Sequence, residues 1–88
     1  MQIGKWYWYK QGKPEDYMDK DKDIFSINDV PCGFIYKFVL WTINRYNDGS
    51  IYDIAERRYI GNRWCWLIDD KVIKDDIVRA WFTIPMVI

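Results

Sequence analysis

The sequence predicts a mainly β protein: a small antiparallel β-meander, curled into a half-barrel or barrel, with at most one short helical turn. Three observations lead there. Short β-branched and aromatic runs follow one another along the chain. Turn residues of the Asp-Gly and Gly-Asn kind separate them. No long segment repeats its apolar residues at the 3.6-residue period of an amphipathic helix. At 88 residues the chain reads as one domain, 1–88. An N-terminal strand and charged loop occupy 1–23, and the meander occupies 24–88.

The first strand is expected over residues 3–9. Residues 10–23 are polar, contain Gly12 and Pro14, and read as a loop with one helical turn after Pro14. Ile24–Val30 is a short extended piece ending at Pro31, which has no N–H for a ladder. Phe34–Asn44 is the clearest strand, with Phe34, Tyr36, Phe38 and Leu40 on one face and Ile35, Val39, Trp41 and Ile43 on the other. Apolar residues on both faces suggest a central strand covered on both sides. Asn47-Asp48-Gly49 is a hairpin signal, and Ser50–Tyr59 is its returning partner, with Tyr52 and Ile54 apolar among charged neighbours. Gly61-Asn62 turns the chain into a strand at Arg63–Ile68. Asp69–Asp76 is a charged connection with a very short strand at Val72-Ile73, and Ile77–Ile84 is the last strand before Pro85.

Composition narrows function. Lys plus Arg and Asp plus Glu are 13 each, so the chain lacks the basic excess of a duplex-DNA binder. Histidine is absent, which removes the commonest general base and every Ser-His or Cys-His nucleophile system. Neither serine sits in a nucleophile elbow, and no glycine-rich phosphate loop exists. Asp19, Asp21 and Asp23 mimic the start of a calcium loop, but Ile24 and Val30 stand where the turn glycine and the bidentate Glu belong. Cys32 and Cys65 are too few for a disulfide framework or a four-cysteine metal site, and read as buried thiols. No cofactor, no metal and no catalysis are expected. No leader pattern and no apolar run of membrane-spanning length stand in the chain, so a soluble intracellular protein is expected.

Seventeen aromatic residues, 19% of the chain, can build a core without a staple, with some left over for the surface. The first candidate surface is Lys5-Trp6-Tyr7-Trp8-Tyr9-Lys10. On a strand Trp6 and Trp8 point one way and Tyr7 and Tyr9 the other. One pair belongs to the core and the other is free for a partner or a second copy of the chain; nothing local fixes which. Trp64 and Trp66 share a face and are expected to pack on Phe38 and Leu40. Trp64 with Arg57, Arg58 and Arg63 is the alternative, an aromatic-basic patch for a small nucleotide, single-stranded nucleic acid or an acidic protein. Asp69, Asp70, Asp75 and Asp76, with Lys71 and Lys74 between them, read as a solvated turn or an acidic docking patch.

Several short stretches also carry a pattern: Phe25-Ser26-Ile27 with Pro31, Phe38-Val39-Leu40-Trp41, Ile51–Ala55, Gly61-Asn62-Arg63-Trp64, and Val78–Pro85 with its Trp81. In this order they resemble domain-of-unknown-function family 551, common in bacteriophage and prophage genomes. The resemblance covers residues 24–85. Residues 1–23 lie outside it, and Ala80 stands where the family commonly has His before its Trp. It implies a phage-type accessory gene and a compact β-rich fold, and carries no catalytic residue. The functional expectation is a non-catalytic binding protein in the cytoplasm of a bacterial host, inhibiting a host protein such as a defence-system enzyme. Sequestration of a nucleotide signal is the alternative, and single-stranded nucleic-acid binding comes after it.

Overall fold

The computed structural model describes residues 1–43 and 50–85. Its strands are β1 (Trp6–Trp8), β2 (Ile24–Ile27), β3 (Val30–Phe34), β4 (Tyr36–Ile43), β5 (Ser50–Ile60), β6 (Arg63–Ile68), β7 (Lys71–Ile73) and β8 (Val78–Pro85). All their pairings are antiparallel. The mainly β, half-barrel expectation therefore holds. The helical turn after Pro14 is present as a 3₁₀ turn, Pro14–Tyr17, and a second lies at Asp75–Ile77.

Strand β5 organises the molecule. Its first half, Ser50–Ala55, pairs with β4; its second half, Glu56–Ile60, pairs with β6, and Arg58 also pairs with Gly33 of β3. The order β1-β8-β4-β5 thus continues into β3-β2 on one side of β5 and into β6-β7 on the other. An 11-residue strand shared this way wraps the sheet around one core. Phe34, Phe38, Leu40, Ala55, Trp66, Val78 and Trp81 form that core. Phe38 meets Trp66 and Trp81 edge-on, at 5.4 Å and 5.8 Å between centroids. Trp66 packs as expected from sequence, while Trp64 is half-buried against Phe34 at 5.3 Å.

Two-residue turns close the hairpins. Asn28-Asp29, Gly61-Asn62 and Asp69-Asp70 all have positive φ at both positions, the backbone that tight hairpins require. The turn at Asn28-Asp29 corrects the sequence reading of Ile24–Val30 as one piece. It is a hairpin, and Pro31 lies inside β3 rather than ending a strand. Pro31 is tolerated there because the β2–β3 register slips beside its partner Ser26. The hairpin expected at Asn47-Asp48-Gly49 lies outside the described residues. Asp70 holds φ 63° with an L side chain. Asp70→Gly is expected to raise stability by about 0.5–1 kcal/mol, by relieving left-handed strain, read as a higher urea midpoint.

The charged loop packs across the core. The Trp81 indole N–H donates to the Gly12 carbonyl at 3.0 Å. The Tyr17 ring lies 5.9 Å from Trp81 and 4.9 Å from Tyr7. Gly12 is a glycine for close approach: a Cβ there would sit 2.5 Å from the Tyr17 ring. The Met1 ammonium donates to the Tyr17 carbonyl at 3.2 Å, fastening the chain start to the same loop.

Candidate binding face

The register of β1, β8, β4 and β5 places two apolar rows on the outside of the sheet. Trp8 pairs with Ala80, Ala80 with Trp41, and Trp41 with Tyr52. One step along, Trp6 pairs with Phe82, Phe82 with Val39, and Val39 with Ile54. Alternation puts the neighbours Tyr7, Leu40 and Trp81 on the inside. Trp6 and Trp8 are 43% and 46% exposed, Tyr52 and Ile54 60% each. An antiparallel sheet with one face in water normally shows polar residues there. This outer face corrects the expectation that the strand around Phe38 is covered on both sides: only its inner face is.

The question posed by Lys5–Lys10 is resolved in one direction. Tyr7 stacks on Trp81 at 4.5 Å with 14° between planes, and its hydroxyl accepts the Gln2 N–H at 2.9 Å. Tyr9 packs toward Trp66 at 6.1 Å. The tyrosines are the structural pair and the tryptophans the surface pair. The register demands it, because Trp81 must point inward and Tyr7 is its partner.

Ala80 is the one small side chain in the two rows. Trp6, Trp8, Trp41 and Tyr52 stand around it and leave a cleft of about 300 Å³. The rings touch one another around this floor: Trp8–Trp41 at 5.4 Å, Trp41–Tyr52 at 6.3 Å and Trp6–Tyr52 at 6.0 Å. A β-bulge supplies charge at its edge. Trp41 pairs with Ala80 but Thr42 with Val78, so Arg79 is the extra residue. Bulges re-aim side chains, and here the Arg79 guanidinium lies 5.8 Å from the Trp41 ring. Lys10, Asp76 and Ile43 complete the surroundings of Arg79 and Trp8.

The other sequence candidates are dispersed. Arg57 points inward, is 1% exposed, and makes a bidentate pair with Glu15 at 2.8 Å and 3.0 Å. Its guanidinium lies 4.6 Å from the Trp66 ring. Arg58 is on the opposite face, pairs with Glu56 at 2.7 Å and covers Phe25. Arg63 is exposed beside the Gly61-Asn62 turn, and Trp64 packs under Tyr59. Arg57, Arg58, Arg63 and Trp64 therefore do not form one patch. Asp69 and Asp70 occupy the β6–β7 turn, whereas Asp75 is half-buried beside Tyr9, with Asp76 next to it. No cluster of three potential metal ligands occurs among the described residues. The described residues also hold no helix long and apolar enough to cross a membrane. Cys32 and Cys65 are unbonded to each other.

Sequence reasoning missed Trp41, Tyr52, Ala80, Phe82 and Arg79. A signal was there: in Ile51–Ala55 the large apolar residues alternate with Asp53, but the inward position is Ala55. The apolar half of that alternation faces water.

Electrostatics concentrate inside, under the loop. Burial pushes the Arg57 pKa down, but hydrogen bonds and charge from Glu15 outweigh it and hold the guanidinium above its ordinary value. Burial pushes the Tyr9 hydroxyl up to about 12, with Arg57 opposing and Asp75 adding to the rise. A folded pKa above the unfolded value means the native state keeps its proton longer. Stability from this group is complete below about pH 10 and falls as pH rises toward about 12. Tyr9→Phe should flatten that part of the stability–pH curve, measured by urea titration between pH 9 and 12 against wild type.

No family model, no curated protein and no solved structure matches the chain.

Proposed function

We propose that this is a non-catalytic binding protein, a phage-encoded accessory that occupies a host protein such as a defence-system enzyme, and that the partner docks on the outer face of β1-β8-β4-β5. The observation that carries this reading is the pair of apolar rows. Trp8-Ala80-Trp41-Tyr52 and Trp6-Phe82-Val39-Ile54 are apolar at every position, with large rings exposed and Arg79 and Lys10 along one edge. Aromatic residues in a charge-depleted centre with a polar rim are the composition of protein interfaces. Trp and Tyr dominate their binding energy. The phage and host assignments rest on the resemblance of residues 24–85. The lack of histidine, and of a nucleophile or phosphate-loop motif, supports binding over catalysis.

The test is affinity capture from host cells producing the tagged protein, beside Trp8→Ala with Tyr52→Ala. The double variant should keep its fold and lose the captured partner by at least ~30-fold, about 2 kcal/mol. Undiminished capture by a folded double variant places the interface elsewhere. Arg63 and the Asp69-Asp70 turn would be next. A nucleotide, a single strand of nucleic acid or a second copy of the chain in place of a host protein would replace the partner class and keep the face.

A further inference from the structure

We infer that the partner inserts one large apolar side chain into the cleft over Ala80 and sets a carboxylate beside it against Arg79 and Lys10. This rests on the outer face being the binding surface. The shape argument comes from the register. Among the described residues of these two rows Ala80 is the small side chain, 2% exposed beneath four rings that leave the cleft above it. Side chains seated in a desolvated aromatic pocket near the middle of an interface are where binding energy concentrates. The walls hold no carboxylate, and Arg79 already lies against Trp41. A cationic occupant, the usual guest of an aromatic cage, meets a like charge there.

Charge complementarity names the second group. Arg79 is an exposed guanidinium turned to this side by the bulge, and Lys10 is exposed beside it. Among the described residues lining that edge, two cations, Arg79 and Lys10, stand with one carboxylate, Asp76. The opposite end, past Ile54, carries Lys37 with Glu56, Asp69 and Asp70, and Glu56 is paired with Arg58. The positive end therefore fixes direction: the partner's acidic residue lies toward Arg79, and its apolar residue toward Tyr52. A rim charge of this kind sets partner choice and association rate more than total affinity.

The experiment is a selection of random displayed dodecapeptides on the folded wild-type protein, with the same selections on Ala80→Leu, Arg79→Glu and Trp8→Ala. Ala80→Leu adds bulk at the notch without removing a ring, and Arg79→Glu reverses the exposed charge that lies against the Trp41 ring. Enriched wild-type peptides should share one aromatic or leucine-like residue with Asp or Glu within three positions. Ala80→Leu should bind them at least tenfold more weakly. Arg79→Glu should weaken them severalfold and switch the preferred neighbour to Lys or Arg. Thermal melts establish that each variant is folded; if Ala80→Leu is not, the charge switch at Arg79 decides alone. Peptides that need Trp8 but tolerate both other substitutions, or that carry basic neighbours on wild type, overturn this inference and leave the face as the binding surface. Peptides indifferent to Trp8, or no enrichment over the Trp8→Ala protein, overturn both.

Discussion

Arg57→Ala is expected to destabilise the fold by about 3–5 kcal/mol, the cost of breaking a buried ion pair by removing one partner. The guanidinium is 1% exposed, bonded twice to Glu15 and packed on the Trp66 ring. Its loss leaves the Glu15 carboxylate without a counter-charge and opens space beside Trp66. A chain of 88 residues carries roughly 4–13 kcal/mol in total, at about 0.05–0.15 kcal/mol per residue. The single variant therefore stands near the limit of folding. The double variant Arg57→Met with Glu15→Leu separates charge from packing. Both charges go, apolar volume remains, and stability should return to within ~1–2 kcal/mol of wild type or exceed it. Urea midpoints of the three proteins check both statements. A mild Arg57→Ala, under ~1 kcal/mol on the scale of exposed ion pairs, would mean that the loop carrying Glu15 is not held against the core.

Trp81→Ala should cost about 3–5 kcal/mol, the usual range for emptying a buried aromatic site. Trp81 is fully buried, stacks on Tyr7, meets Phe38 edge-on, and donates to the Gly12 carbonyl. The substitution removes the inner support of β1 and the anchor of the loop together. Tyr7→Ala should follow it in direction with a smaller loss, since Tyr7 is half-buried. Trp8→Ala, one residue further on the same strand, should stay within ~1 kcal/mol of wild type, because half of its surface is already in water. Differential scanning calorimetry resolves such a contrast, because ~1 kcal/mol shifts the midpoint of a domain this size by about 4–8 °C.

Much of the fold was legible because strand signals are local. Phe38-Val39-Leu40-Trp41 and Arg63–Ile68 are runs of β-formers, and Gly61-Asn62 names its own turn. The Asn28-Asp29 hairpin was harder to read, because Asn-Asp lacks the glycine that usually marks such turns. Which face of a strand points inward is not local. For Trp6–Tyr9 it depends on Trp81, more than seventy residues away in sequence, through the pairing of β1 with β8. The Arg57-Arg58 doublet read as part of an exposed aromatic-basic patch, since arginine is seldom buried. Its burial is set by Glu15 arriving from the loop and by the place of Arg57 two residues after the inward Ala55. Arg79 was invisible for a different reason. A bulge adds one residue to a strand, and no periodicity in Ile77–Ile84 announces it.

The most direct test of the central claim pairs stability with binding on one double variant, Trp8→Ala with Tyr52→Ala. Its urea midpoint and its retention of the proposed partner are measured on the same preparation. An outer face used for docking gives a protein within ~1–2 kcal/mol of wild-type stability, since both rings are substantially exposed, and with partner retention abolished. A protein that is fully folded and still holds its partner would contradict the assignment of the face. So would one that unfolds as Trp81→Ala does, because the rings would then be serving the core.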